Sequence, residues 1–150
     1  MQTYRNILAV LDLGEHSDRV ARRAADIAAC TDGAQLTLLH VVEFVPVEPL
    51  GDSLLPTLQI ESELLERGRQ RLADLARTLA GTAPRLEVVS GNVKAEITRL
   101  ARDLGCDLIV IGGRERHGLS ILVNLTEDTV LHAAPCDVLA VRLPALKPAA

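Results

Sequence analysis

Two hydrophobic periods alternate along this chain, and that alternation limits the folds open to it more than any other feature. Asn6–Asp12 (Asn-Ile-Leu-Ala-Val-Leu-Asp) is a continuous apolar run closed by an acid, the pattern of a strand covered on both faces. Ala34–Val42 reads as a second strand, Arg85–Ser90 as a third nearer an edge, Cys106–Ile111 as a fourth and Asp137–Arg142 as a fifth. Helical spacing fills the gaps. From Ser17 to Cys30, opened by His16 or Ser17, Val20, Ala24, Ile27 and Ala28 recur on one side, and Thr31-Asp32-Gly33 stops the run. Leu58–Leu79 carries Ile60, Leu64, Leu65, Leu72, Leu75 and Leu79 on one stripe and breaks at Gly81–Pro84. Asn92 suits the N-cap of a helix through Ile97, Leu100 and Leu104 that Gly105 closes, and a last helix ends near His132. Strand and helix alternating in this way give one α/β domain over residues 1–143, a five-stranded parallel sheet with helices on both faces. Right-handed crossovers in two directions give the strand order 3-2-1-4-5. Residues 144–150 are expected to be a frayed, proline-bearing tail.

In that order the topological switch lies between the first and fourth strands, whose ends are Asp12 and Gly112. A ligand in an open α/β sheet sits there, facing a helix N-terminus. The segment concerned is Asp107-Leu-Ile-Val-Ile-Gly-Gly113, followed by a polar loop from Arg114 into the last helix. A phosphate cradle needs small residues so that backbone N–H groups reach the anion. Gly112 and Gly113 open the loop, but Glu115, Asn124 and Leu125 then stand where smallness would help. Each candidate also has a plainer role. Asp12 suits an acceptor role for its own turn and the next helix. Gly112 and Gly113 suit a tight strand exit with no ligand. Arg114 and Arg116 either receive an anion or form a solvated loop with Glu115, and Val41 is core in any case.

Other chemistry is poorly represented. One Tyr, one Phe and no Trp leave an aliphatic core and no platform for stacking bases. A formal charge of −4 gives no footprint for a phosphate backbone, so no nucleic-acid partner is expected. No apolar run approaches the roughly 18–20 residues of a membrane span, and the first residues run straight into a strand, so a cytoplasmic protein is expected. Cys30, Cys106 and Cys136 lack metal-ligand spacing and read as buried free thiols. His40 reads as a satisfied strand residue, and His117 lies in the polar loop beside the crevice. Asp128 and His132 are i,i+4 neighbours, better suited to a solvated contact than a metal. Glu43–Pro56, with Pro46, Pro49, Gly51 and Pro56, reads as irregular and as the best candidate for a flap.

The chain resembles the bacterial universal stress proteins over nearly its whole length. Asn6–Asp12, Leu38-Leu-His-Val-Val42, Gly91 before a helix, Cys106–Gly112 and Val130-Leu-His-Ala-Ala-Pro-Cys-Asp-Val-Leu-Ala-Val141 carry the likeness. The resemblance implies a Rossmann-like fold and a homodimer, here through the strand Asp137–Arg142. ATP-binding members carry Gly-x-x-Gly, then eight or nine residues, then Gly-Ser or Gly-Thr. They place an Asp from the first strand and a Val from the second beside adenine and ribose. Asp12, Val41 and Gly112 match; Glu115, Asn124 and Leu125 stand at the second Gly, the third Gly and the hydroxyl. A Glu about 4 Å from a phosphate costs roughly 1 kcal/mol in water and several times that when desolvated.

Three functions compete. One is a regulatory stress protein that works through protein partners with no nucleotide cofactor. Another is an adenine-nucleotide sensor or weak ATPase, holding ATP or AMP through Asp12, Val41, Gly112, Gly113, Arg114, Arg116 and Asn124. The third, nucleotidyl transfer, is disfavoured: Leu13-Gly14-Glu15-His16 after the first strand lacks a phosphate-stabilising loop, and no catalytic residues or metal ligands assemble. The regulatory, non-enzymatic reading is the expectation.

Overall fold

A computed structural model of the chain describes residues 3–43, 55–114 and 126–144. Strands β1 (Asn6–Val10), β2 (Gln35–Val42), β3 (Arg85–Ser90), β4 (Leu108–Arg114) and β5 (Asp137–Leu143) alternate with helices α1 (Ser17–Ala29), α2 (Leu55–Arg77), α3 (Val93–Asp103) and α4 (Thr126–Ala133). The strands form one parallel sheet in the order β3-β2-β1-β4-β5, as the alternation implies.

Strand side chains point alternately to the two faces, so a strand covered on both sides must be apolar throughout. Ile7, Leu8 and Ala9 are at most 1% exposed, and consecutive residues feed opposite cores. Ile7, Ala9, Leu38 and Val110 pack with Val20, Ala21 and Ala24 of α1 and Leu72 of α2. Leu8, Leu39, Val41, Ile109 and Ile111 pack with Ile97 and Leu100 of α3 and Val130 of α4. Asn92 caps α3 as its sequence suggests, accepting from the Ala95 amide at 3.0 Å.

Several boundaries differ from the sequence reading, each for a local reason. Leu55 and Pro56 belong to α2 rather than to an irregular Glu43–Pro56 segment, because proline is tolerated where a first-turn N–H needs no partner. Residues 44–54 of that segment lie outside the described residues. α2 ends at Arg77, where the Thr78 and Leu79 amides bond back three residues to Leu75 and Ala76. Ile60 is 50% exposed, so the apolar stripe meets the sheet only farther along the helix. β1 stops at Val10, although the Leu11 amide still bonds to Leu39. β4 starts at Leu108 rather than Cys106 and runs on through Gly112, Gly113 and Arg114, paired with Val141, Arg142 and Leu143. β5 accordingly extends one residue past Arg142. The glycine pair is therefore strand and not strand exit.

At the amino end of the sheet, Asp107 fastens two strands. Its carboxylate accepts from the backbone amides of Arg5 at 2.9 Å and Asn6 at 3.0 Å, and its own amide donates to Asn6 at 2.9 Å. The Tyr4 hydroxyl donates to Asp137 at 2.8 Å, tying the same end to β5.

Candidate functional site

The carboxyl ends of β1 and β4 lie side by side, and the turn after β1 is held unusually firmly. Its key is Asp12, whose Oδ1 accepts from the Gly14 amide at 2.9 Å and from the Ser17 hydroxyl at 2.7 Å. Of the two roles open to Asp12, the turn-and-helix role is thus present. Ser17, the first residue of α1, is 5% exposed, so its hydroxyl is spent inside the turn rather than offered as a nucleophile. Leu13 and His16 both take positive φ, 59° and 73°, in a region that side chains other than glycine enter at a cost.

Such backbone persists only where its surroundings over-determine it. Here the imidazole of His40 in β2 lies 2.8 Å from the Leu11 carbonyl through Nδ1, which must donate because the carbonyl can only accept. The Arg71 guanidinium of α2 donates to the Leu13 carbonyl. α2 comes this close because residue 68 is glycine: a Cβ there would lie 3.1 Å from Val88 Cγ1 and 3.2 Å from His40 Cδ2. His40 is the satisfied strand residue its position suggested. Arg71, far off in sequence and on a charged helix face, gave no signal of its part in the turn.

Val41 is 8% exposed and packs in the α3/α4 core, so it is a core residue on which an adenine ring would have only an edge to touch. The two glycines have different surroundings. A Cβ at Gly112 would meet Leu143 Cδ1 at 2.8 Å and Val20 Cγ2 at 3.2 Å, so packing between β5 and α1 requires glycine there. A Cβ at Gly113 would find only ordinary contacts, with Ala140 Cβ at 3.7 Å the nearest. The backbone of Arg114 sits in the sheet. Glu115, Arg116, His117, Asn124 and Leu125 lie outside the described residues, as do the side chains of Arg114 and Asp128.

The thiols diverge from their expected burial. Cys106 is buried, Cys136 half-buried and Cys30 exposed, and all are free. Burial pushes the Cys106 thiol up to about 11 and also raises that of Cys136, leaving both as poor thiolates. Among the described residues no group of histidines, cysteines and carboxylates could hold a metal, and no helix is long and apolar enough to cross a membrane. A groove of about 800 Å³ lies between α3 and α4, and its described lining includes no residue of β1, β4 or the turn after β1.

An open parallel sheet in the order β3-β2-β1-β4-β5, with helices on both faces and a braced turn at its switch point, defines a Rossmann-like protein. The universal stress protein family model matches residues 3–142, and the chain belongs to that family. It is 38% identical over 139 residues to universal stress protein A homolog 1 of Coxiella burnetii, an alignment covering 92% of this chain and 96% of the relative. Among solved structures, the universal stress protein UspA from Lactobacillus plantarum matches with a TM-score of 0.72 at 27% identity, covering 95% of this chain and 100% of that one. A universal stress protein in complex with cAMP shares the fold at a TM-score of 0.66 and 22% identity, over 94% and 98% of the two chains.

Proposed function

We propose that this member of the family is a cytoplasmic regulatory homodimer that acts through partner proteins and binds ATP weakly or not at all. The observation that carries this reading is the loop: Glu115, Asn124 and Leu125 occupy the positions where ATP-binding members use two glycines and a hydroxyl. A carboxylate, an amide side chain and an isobutyl group replace an anion cradle of bare backbone, and the losses act together on the same phosphates. The engagement of Asp12 Oδ1 by Gly14 and Ser17 supports it further, since that oxygen already serves the fold.

A second reading rests on a separate observation. Asp12 and Val41 match the positions that ATP-binding members set beside ribose and adenine, a Cβ at Gly113 would meet only ordinary contacts, and one structural relative is a complex with cAMP. A ligand with a single phosphate suffers least from Glu115. Calorimetric titration of nucleotide-stripped protein with ATP, ADP, AMP and cAMP separates the two. The non-binder reading expects no heat up to millimolar ligand, and heat with AMP or cAMP at micromolar concentration selects the sensor. The Glu115→Gly, Asn124→Gly, Leu125→Ser triple variant should gain ATP affinity by at least about tenfold, some 1.4 kcal/mol. A folded variant that stays silent shows that the loop is not what excludes ATP.

A further inference from the structure

Two of the three thiols meet where β4 and β5 begin. The first ladder pair between these strands is Leu108 with Asp137. Cys136 stands one residue before that pair and Cys106 two, so the sheet brings together cysteines that lie far apart in sequence. Alternation alone would separate them. Leu108 and Val110 face the α1 side of β4, and Cys106 at the same parity would follow them there. The chain bends at Asp107 instead. Cys106 packs in the α3/α4 core with Ile109 and Ile111, the same core against which Cys136 packs. The residues beside both thiols are fastened: the Asp107 carboxylate holds the Arg5 and Asn6 amides, and Asp137 receives the Tyr4 hydroxyl. Neighbouring strands lie about 4.8 Å apart, and one residue of offset adds a step of about 3.8 Å. Displacements of that size put the two Cα atoms about 6 Å apart, inside the range of roughly 4.4–6.8 Å that a disulfide spans. The sulfurs also sense each other: after burial, the proximity of Cys136 is the largest influence raising the Cys106 thiol. Cys30 lies elsewhere, exposed just beyond α1, with its thiol donating to the Asp26 carbonyl at 3.4 Å.

We propose that Cys106 and Cys136 are a redox pair that a hydroperoxide converts into an intramolecular disulfide, tying the start of β4 to the start of β5. Cys136 is half-buried and Cys106 buried, so Cys136 takes the first step. Its sulfur attacks a peroxide oxygen, the O–O bond breaks, and an alcohol leaves with the thiol proton, giving a sulfenic acid. The Cys106 sulfur then attacks the sulfenic sulfur, the S–O bond breaks, and water leaves with the Cys106 proton. Two thiols have lost two hydrogens and two electrons, and one hydroperoxide has become alcohol and water. Because both thiols are held neutral, the bridge forms slowly at neutral pH, and its rate should rise about tenfold per pH unit as thiolate accumulates. Sustained oxidant, rather than a brief pulse, closes it.

The test treats the full, folded chain with millimolar tert-butyl hydroperoxide and maps its tryptic peptides by mass spectrometry without reductant. Peptide 103–114, which carries Cys106, should be joined to peptide 117–142, which carries Cys136. The melting temperature of the oxidised chain should rise by about 5 °C or more over its own reduced form, since the bridge closes a loop through β4 and α4. Cys136→Ser should abolish both the joined peptide and the rise, and Cys30→Ser should change neither. Comparing each protein with its own reduced form keeps any cost of the substitution out of the reading. A bridge between chains or to Cys30 overturns the proposal, as does Cys136 carried on to sulfinic acid while Cys106 stays a free thiol. A pair left unmodified overturns it too. So does a joined peptide obtained only in urea, or one that lowers the melting temperature, because either outcome means that the fold does not accommodate the bridge.

Discussion

Adjacent glycines 112 and 113 do unrelated work, and single substitutions separate them. An alanine methyl at Gly112 must displace Leu143, which is 4% exposed and has little room to move, together with Val20. Gly112→Ala should cost about 1–3 kcal/mol by urea denaturation. Gly113→Ala should stay within about 0.5 kcal/mol of the parent, because its contacts are ordinary and alanine restricts the unfolded chain. The sequence offered both as a single signal, a pair closing a strand. What it did not carry was the pairing of Gly112 with Val141 and the arrival of Leu143 overhead, which depend on a strand some 30 positions later. Asp12 was legible as a position, since a strand end fixes it locally, whereas Val41 entered through the family resemblance. The bonds that commit Asp12 to Gly14 and Ser17 are local too, and the Asp-turn chemistry pointed to them. Cys106 gives a pH test at the same scale. Its thiol is raised from 9.0 to about 11, so the fold favours the neutral form. The stability this supplies is full below pH 9 and is lost as pH climbs through 11. Thermal melts across that window should fall less steeply for Cys106→Ala than for the parent.

Individual elements were read best where one local code acts alone. Asn92 before α3 is an N-cap by side-chain chemistry, and the structure realises it. Ends set by tertiary contact were read less well. The start of α2 depends on where a proline is tolerated, and the end of β4 depends on how far β5 runs beside it. The clasp at Asp107 joins two elements whose sequences are 101 positions apart. Asp107→Ala removes the acceptor for two backbone amides at the mouth of β1 and should destabilise by about 1–3 kcal/mol, with Asp107→Asn in between. Hydrogen exchange should show the loss concentrated at Arg5 and Asn6 rather than in the turn after β1. An even loss of protection across the sheet would mean that the carboxylate matters through global stability alone.

For the molecule as a whole, the sheet order was the most legible quantity, because alternation of period and the handedness of crossovers leave few arrangements. The assembly is the next question. β5 is an edge strand with Val138 half-buried and Ala140 and Arg142 exposed on the face away from α1. A homodimer built on that edge should dissociate in a Val138→Lys, Ala140→Lys variant, with a sedimentation coefficient falling to that of the single chain and helical dichroism unchanged. A variant that stays dimeric places the subunit contact elsewhere.

The central position of β1 also bears on how the protein is made. Within this sheet β1 is synthesised first and receives β2 on one side early, but its other neighbour, β4, is synthesised after two further strands and three helices. Until then the middle of the future sheet is an open edge of apolar backbone. Chains released early, before Leu108 is added, carry that edge permanently. They are the species a cell's chaperones and proteases should meet, and premature termination should yield aggregate rather than a smaller working protein.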